Sequence, residues 1–238
     1  MHSVSTSPNQ KLGHFLRNTF TIILSISTAA SEQDIIRGAF NEISSKTCVS
    51  FRQRTNENDY VAIRRGAVNS GCWSYVGRIG GRQELNLQPP EFPGAAHCIW
   101  VGTAAHELTH AIGFEHEQSR TDRDDYVEMN WSNIPTGIIS YRVGVVGQKS
   151  HELCAHGFIR DFFLETVEYH YAFDKYGPEL VSGFGAPYDY RSIMHYDAYA
   201  FAINPSIPTI IPKQAGAVLG GDQLTSYDIL KINNMYKC

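Results

Sequence analysis

The stretch His106-Glu107-Leu108-Thr109-His110-Ala111-Ile112-Gly113-Phe114-Glu115-His116 constrains this chain more than any other. On a helix of ~3.6 residues per turn, side chains four apart share a face, so His106 and His110 can offer ring nitrogens to one metal ion. Glu107 follows the first of them, with its carboxylate at the edge of that face, placed for a water on the metal rather than for the metal, and reads as a general base. Gly113 has no Cβ and can take a left-handed conformation, end the helix and turn the backbone so that His116 returns to the same ion. Three protein ligands leave one coordination position open, which separates a catalytic zinc from a closed structural one. Such an ion lowers the pKa of its bound water towards ~7 and polarises a carbonyl.

A bare H-E-x-x-H also arises on helices that bind nothing, so the surrounding residues decide. Cys98-Ile99-Trp100-Val101-Gly102-Thr103-Ala104-Ala105 is apolar and uncharged, as a buried helix carrying ligands into the molecule requires, and Gly113 and His116 stand where the return to the ion needs them. The pattern points to metal-assisted hydrolysis.

Composition narrows the partners. The chain has 238 residues, 42% of them hydrophobic, and a formal net charge of −4. That is enough to bury one sizeable core. It carries no basic stripe for nucleic acid, no polybasic patch and no apolar run of ~20 residues to span a bilayer. A polypeptide substrate is the expected partner, and no motif reports the oligomeric state.

Five cysteines are present, Cys48, Cys72, Cys98, Cys154 and Cys238, none in a C-x-x-C arrangement. Disulfides are therefore favoured over a structural zinc knuckle, with one cysteine left over. Asn130-Trp131-Ser132 is the one N-x-S/T sequon without proline, a candidate for glycosylation in a secreted setting.

Along the chain, Ser31-Glu32-Gln33-Asp34 resembles a capping box, and Ile36, Ala39, Phe40 and Ile43 recur at helical spacing, which predicts an amphipathic helix. Strand candidates follow at residues 49–54, 60–63, 72–76 and 84–87, separated by Asn and Gly turn signals. After His116 the chain reads as loop-rich until residues 224–236, where Thr225 or Ser226 can cap a helix with Ile229, Ile232 and Tyr236 inward, closing a lower lobe.

A second motif, Ser192-Ile193-Met194-His195-Tyr196-Asp197, looks like a Met-turn. Together with the histidine motif it resembles the metzincin clan of zinc proteases. Glu117 after the third histidine and Tyr196 two residues past the turn methionine narrow the resemblance to the astacin family. Gly71-Cys72-Trp73-Ser74-Tyr75-Val76-Gly77, Arg120-Thr121-Asp122-Arg123-Asp124-Asp125-Tyr126-Val127 and Ile232-Asn233-Asn234-Met235-Tyr236 are similar to family strings. The likeness runs from about Ser27 to Cys238, with one interruption.

The resemblance implies an α+β fold. It is a two-lobed catalytic domain, with a twisted mixed sheet and a long active-site helix in the upper lobe, and a loop-rich lower lobe with a C-terminal helix. It implies a secreted zinc-dependent endopeptidase that hydrolyses internal peptide bonds. One Zn2+ would be held by His106, His110 and His116, Glu107 would activate the zinc-bound water, and Met194 would form an apolar floor. Tyr196 would coordinate the resting zinc and then swing away to stabilise the oxyanion. His195 is assigned no ligand role. Cys72 would pair with Cys98 and Cys48 with Cys238, leaving Cys154. The strand at residues 84–87 would be the sheet edge on which extended substrate pairs.

The implied domain covers residues 20–238, with the upper lobe at about 20–113 and the lower at about 114–238, after an atypical extension at 1–19. The apolar run at residues 20–26 has two readings, a signal-peptide core or the first strand, and the family's strand before its first helix favours the latter. Residues of about 136–166 depart from the family as an insertion that includes Cys154. In mature members Glu117 pairs with a freed N-terminal ammonium, a pairing that the extension here would prevent unless it is processed. A zinc-binding but catalytically impaired interaction protein is the alternative function, and retention of Glu107 and Tyr196 argues against it.

Overall fold

The computed structural model describes residues 19–24, 30–136, 138–139, 165–166, 169–177, 181 and 183–238. All of the extension at 1–19 except Thr19, together with Cys154 and nearly all of the 136–166 insertion, lies outside the described residues.

The run that could have been a signal-peptide core is strand β1 (Thr19–Leu24), set between β2 (Ser50–Gln53) and β3 (Tyr60–Arg65) and parallel to both. β5 (Arg82–Leu87) continues the parallel set, and β4 (Trp73–Ser74) closes it antiparallel, giving the order β2-β1-β3-β5-β4. The sheet edge is therefore β4 and not the strand at residues 84–87. Trp73 and Ser74 pair with Asn86 and Leu85, so β5 is interior. The candidate strand at residues 72–76 is thus the edge, with only Trp73 and Ser74 of it in the ladder.

Helix α1 (Ala30–Ser44) buries Ile36, Ala39 and Ile43 against the sheet. It begins one residue before Ser31, which lies in the first turn instead of capping it. Helix α2 (Val101–Ala111) has no side-chain cap, and Ala104, Ala105, Leu108 and Ala111 are almost fully covered. Burial of its apolar side chains, not its end chemistry, holds it in place.

Helix α3 (Ser226–Tyr236) begins in a full capping box: Thr225 Oγ1 accepts the Asp228 N–H at 3.0 Å, and Asp228 Oδ2 accepts the Thr225 N–H at 3.1 Å. Its Ile232 and Met235 join the larger apolar cluster with the sheet, α1, α2 and Met194. The helix thus packs its apolar side chains on the upper lobe while its polar ones hold lower-lobe residues, Asp228 on Ser192, Lys231 on Glu117 and Asn234 on the Phe184 carbonyl.

A second cluster, with Val127, Met129, Ile134, Phe173, Tyr188, Ile210 and Leu219 at its centre, fills the lower lobe. Its frame is an antiparallel ribbon of β6 (Val127–Met129) and β9 (Ile210–Pro212), too short for alternation to be read from sequence. A second ribbon, β7 (Ile138–Ile139) with β8 (Glu165–Thr166), brings together the two ends of the insertion.

Two disulfides are formed, Cys48–Cys238 and Cys72–Cys98, the pairing the resemblance implied. The first fastens the end of α3 beside the end of α1, and the second links β4 to the approach to α2.

Candidate metal centre

α2 carries His106 and His110 on one face. The helix ends at Gly113, whose φ of 110° is the positive value an L side chain rarely takes. The Gly77 N–H and the Gly113 N–H both donate to the His110 carbonyl, at 2.9 and 2.8 Å, satisfying the helix end. The turned backbone returns His116, and one nitrogen from each of the three rings lies within 4.8 Å of the other two.

His106 Nδ1–H donates to the Ile193 carbonyl at 2.6 Å and His110 Nδ1–H to the Phe114 carbonyl at 2.7 Å. Carbonyls only accept, so both protons sit on Nδ1 and each Nε2 keeps its lone pair for a metal. The Nε2 atoms of His110 and His116 stand 3.2 Å apart. Tetrahedral zinc with Zn–N of ~2.0–2.1 Å separates two ligand nitrogens by about 3.3 Å. Burial lowers the His106 pKa, and lowers that of His116 further with help from the neighbouring imidazoles, which keeps both rings neutral, as metal binding needs.

Glu107 is 4% exposed, and its Oε2 has no hydrogen-bond partner among the described residues. Burial alone raises its carboxyl pKa to about 8. A buried orphan carboxylate oxygen beside three converging imidazoles is costly in isolation. It fits a site completed by a cation and a water. The residues present therefore match a zinc ion in donor type, number and spacing.

The profile of the peptidase family Astacin matches residues 14–153 and 165–237. The chain belongs to the astacin family. Zinc metalloproteinase nas-14 of Caenorhabditis elegans is 37% identical over 209 residues, 87% of this chain and 34% of the relative. Zinc metalloproteinase nas-4 of the same organism is 34% identical over 225 residues, 93% of this chain and 58% of the relative. The chain thus spans a third to three fifths of the length of these two curated relatives. The solved structure of high choriolytic enzyme 1, a hatching-enzyme zinc protease of Oryzias latipes, superposes with a TM-score of 0.71 at 32% identity, covering 92% of this chain and 90% of that one.

Within this astacin-family site the turn at residues 192–197 meets the histidines through the Ile193 carbonyl, which receives His106 Nδ1–H. Met194 is buried in the larger cluster. The Tyr196 ring lies 4.4 Å from that of His116 and packs on Phe173 and Phe201 of the lower lobe. Burial raises its phenol pKa, with Tyr176 and Glu107 adding to the effect, so the O–H stays protonated. His195 stands outside the ligand cluster. Its Nδ1–H donates to the Tyr196 carbonyl at 2.7 Å, its Nε2 takes the Tyr188 O–H at 2.7 Å, and burial lowers its pKa to about 4.

Glu117 has an internal ammonium as partner. Lys231 Nζ donates to its Oε2 at 2.6 Å, and Arg120 and the Asp189 N–H donate to its Oε1 at 3.1 and 2.9 Å. Burial pushes the Glu117 carboxyl up against the pull of these donors. Sequence reasoning passed over Lys231, Asp228, Asp189 and Gln118. The one visible signal was a pair of opposite charges, Asp228 and Lys231, on the stripe shared by Ile232 and Met235.

Proposed function

We propose that the chain is a zinc-dependent endopeptidase, secreted, cleaving internal peptide bonds of polypeptide substrates. The observation that carries this reading is the orphan Glu107 Oε2 beside three imidazole nitrogens gathered within 4.8 Å. We take residues 20–238 as the peptidase domain, divided near residue 113 into upper and lower lobes, with residues 1–19 as an extension and about 136–166 as an insertion.

His106, His110 and His116 hold the ion. Zinc, when bound, acidifies a water and polarises the scissile carbonyl. Glu107 takes the proton from the attacking water and passes it to the departing amine, so the acyl carbon gains a C–O bond as the C–N bond breaks. The Tyr196 O–H donates to the oxyanion that develops on the former carbonyl. The open edge of β4 offers backbone groups to an extended substrate, which positions the bond before the chemistry. Two disulfides support an oxidising compartment, and among the described residues no helix is long and apolar enough to cross a membrane.

A quenched-peptide assay tests the reading, run on the parent with and without a chelator and on Glu107→Gln. The parent is expected to turn over only without chelator, and Glu107→Gln to lose about 10³-fold or more while keeping its zinc. Turnover indifferent to both treatments would sink the proposal.

A further inference from the structure

Asp228 and Lys231 lie one turn apart on α3, 3% and 4% exposed, on the stripe that also buries Ile232 and Met235. Charges on a core-facing stripe cost desolvation, and an apolar pair of similar volume often serves stability as well or better. What these two side chains touch gives them another use.

The Asp228 carboxylate accepts Ser192 Oγ–H at 2.6 Å and the Ile193 N–H at 3.0 Å, besides the Thr225 N–H of its own capping box. The residue so held carries the Ile193 carbonyl that receives His106 Nδ1–H. One turn on, the Lys231 ammonium grips Glu117, the residue directly after His116. The backbone N–H of that same Glu117 donates to the Met194 carbonyl at 2.9 Å. A single face of α3 thus reaches two of the three histidines: Asp228 acts through the Ile193 backbone on His106, and Lys231 acts through Glu117 on the backbone that presents His116.

We propose that Asp228 and Lys231 are positioning residues of the metal centre, so that the C-terminal helix sets the orientation of His106 and His116. The inference rests on the zinc reading above. Neither residue touches substrate; each acts through a ligand's support, and loss of such outer partners typically weakens metal binding by about 10–100-fold. The Cys48–Cys238 bridge at the far end of α3 holds the helix from which both act.

The test uses the full chain, with Asp228→Asn, Lys231→Gln and, as a control on the same helix, Leu230→Ala at a site 38% exposed. Zinc affinity is measured by competition with a chromogenic chelator, and ligand geometry by the visible absorption of the Co2+-loaded protein. The expected result is zinc affinity lower by about 10–100-fold and an altered cobalt band in both test variants, a fall in kcat exceeding any rise in KM, and none of these in the control. If Lys231→Gln does not fold, the double variant Lys231→Met with Glu117→Gln, which removes both charges of that pair and leaves Asp228 on its Ser192, Ile193 and Thr225 donors, takes its place with the same expected outcome. Affinity and cobalt spectrum within twofold of the parent in the folded variants, whatever their Tm, would reduce Asp228 and Lys231 to structural roles and overturn the proposal. A parent that bound neither metal would overturn the zinc reading itself, a separate result.

Discussion

The buried Gln118 side chain accepts the backbone N–H of Tyr196 on its Oε1 at 3.0 Å. Beside it the Glu117 N–H donates to the Met194 carbonyl, so the segment after His116 and the Met-turn are joined by two rungs, one of them a side chain imitating backbone. This fixes the third histidine relative to the phenol across the boundary between the two apolar clusters.

Tyr196→Phe keeps the ring contacts with Phe173 and Phe201 and removes only the O–H. The kcat is expected to fall by about 10²–10³, the usual loss for one oxyanion donor, with zinc content unchanged. Steady-state kinetics with metal analysis checks this; a loss below about threefold would take the phenol out of the mechanism.

The legibility of the chain followed the range of the contacts. The histidines, Glu107 and Gly113 lie within eleven consecutive residues, where helical periodicity and a left-handed glycine impose the geometry locally. Tyr196 and the disulfides depended on resemblance, since no local rule links Cys48 to a cysteine 190 residues away. The strand at residues 72–76 was legible, but its place at the sheet edge and the side-chain partners of Glu117 were hidden, because they arise from packing between distant segments. Lys231 looks like any helical lysine until its partner is seen.

Removing the metal should reveal an opposing pair of pH dependences. Burial raises the Glu107 pKa from an ordinary 4.5 to about 8 in the folded protein, so between these pH values the folded state holds a proton that the unfolded chain has released. Its contribution to stability is full below 4.5 and is lost as pH rises through 8. His106 and His116, with pKa values lowered by burial, act the other way: they lose stability for the protein as pH falls below 6.5. Above pH 6.5 the carboxyl effect remains, about 1.4 kcal/mol per pH unit at most. Thermal unfolding of metal-free protein should show Tm dropping from pH 6.5 to 8, and Glu107→Gln should flatten that drop. An equal drop in the variant would assign it to another group.

The two disulfides should differ in weight. Cys48–Cys238 closes 190 residues and Cys72–Cys98 closes 26. In the chain-entropy model these are worth about 5 and about 3.5 kcal/mol. Cys48→Ala with Cys238→Ala should therefore lower stability more than Cys72→Ala with Cys98→Ala, as read by denaturant midpoints at equal m; the reverse order would contradict the assignment.

The sequon asparagine is already engaged. Asn130 Nδ2 donates to the Pro208 carbonyl at 3.1 Å and its Oδ1 accepts Ser132 Oγ–H at 2.7 Å. A glycan on Nδ2 would compete with the first of these bonds, so Asn130 is expected to be unmodified in folded protein from a secretory host. Intact mass before and after glycosidase treatment decides it, and a mass loss mapped to this peptide would refute the expectation.

The bridge from Cys48 to the last residue makes a covalent ring of everything between them, and all three imidazoles, Glu107 and Tyr196 lie on that ring. A single nick by a neighbouring protease would open the circle without releasing a fragment. Both walls of the cleft would stay on one thread until a reductant arrived. That topology separates being cut from being lost.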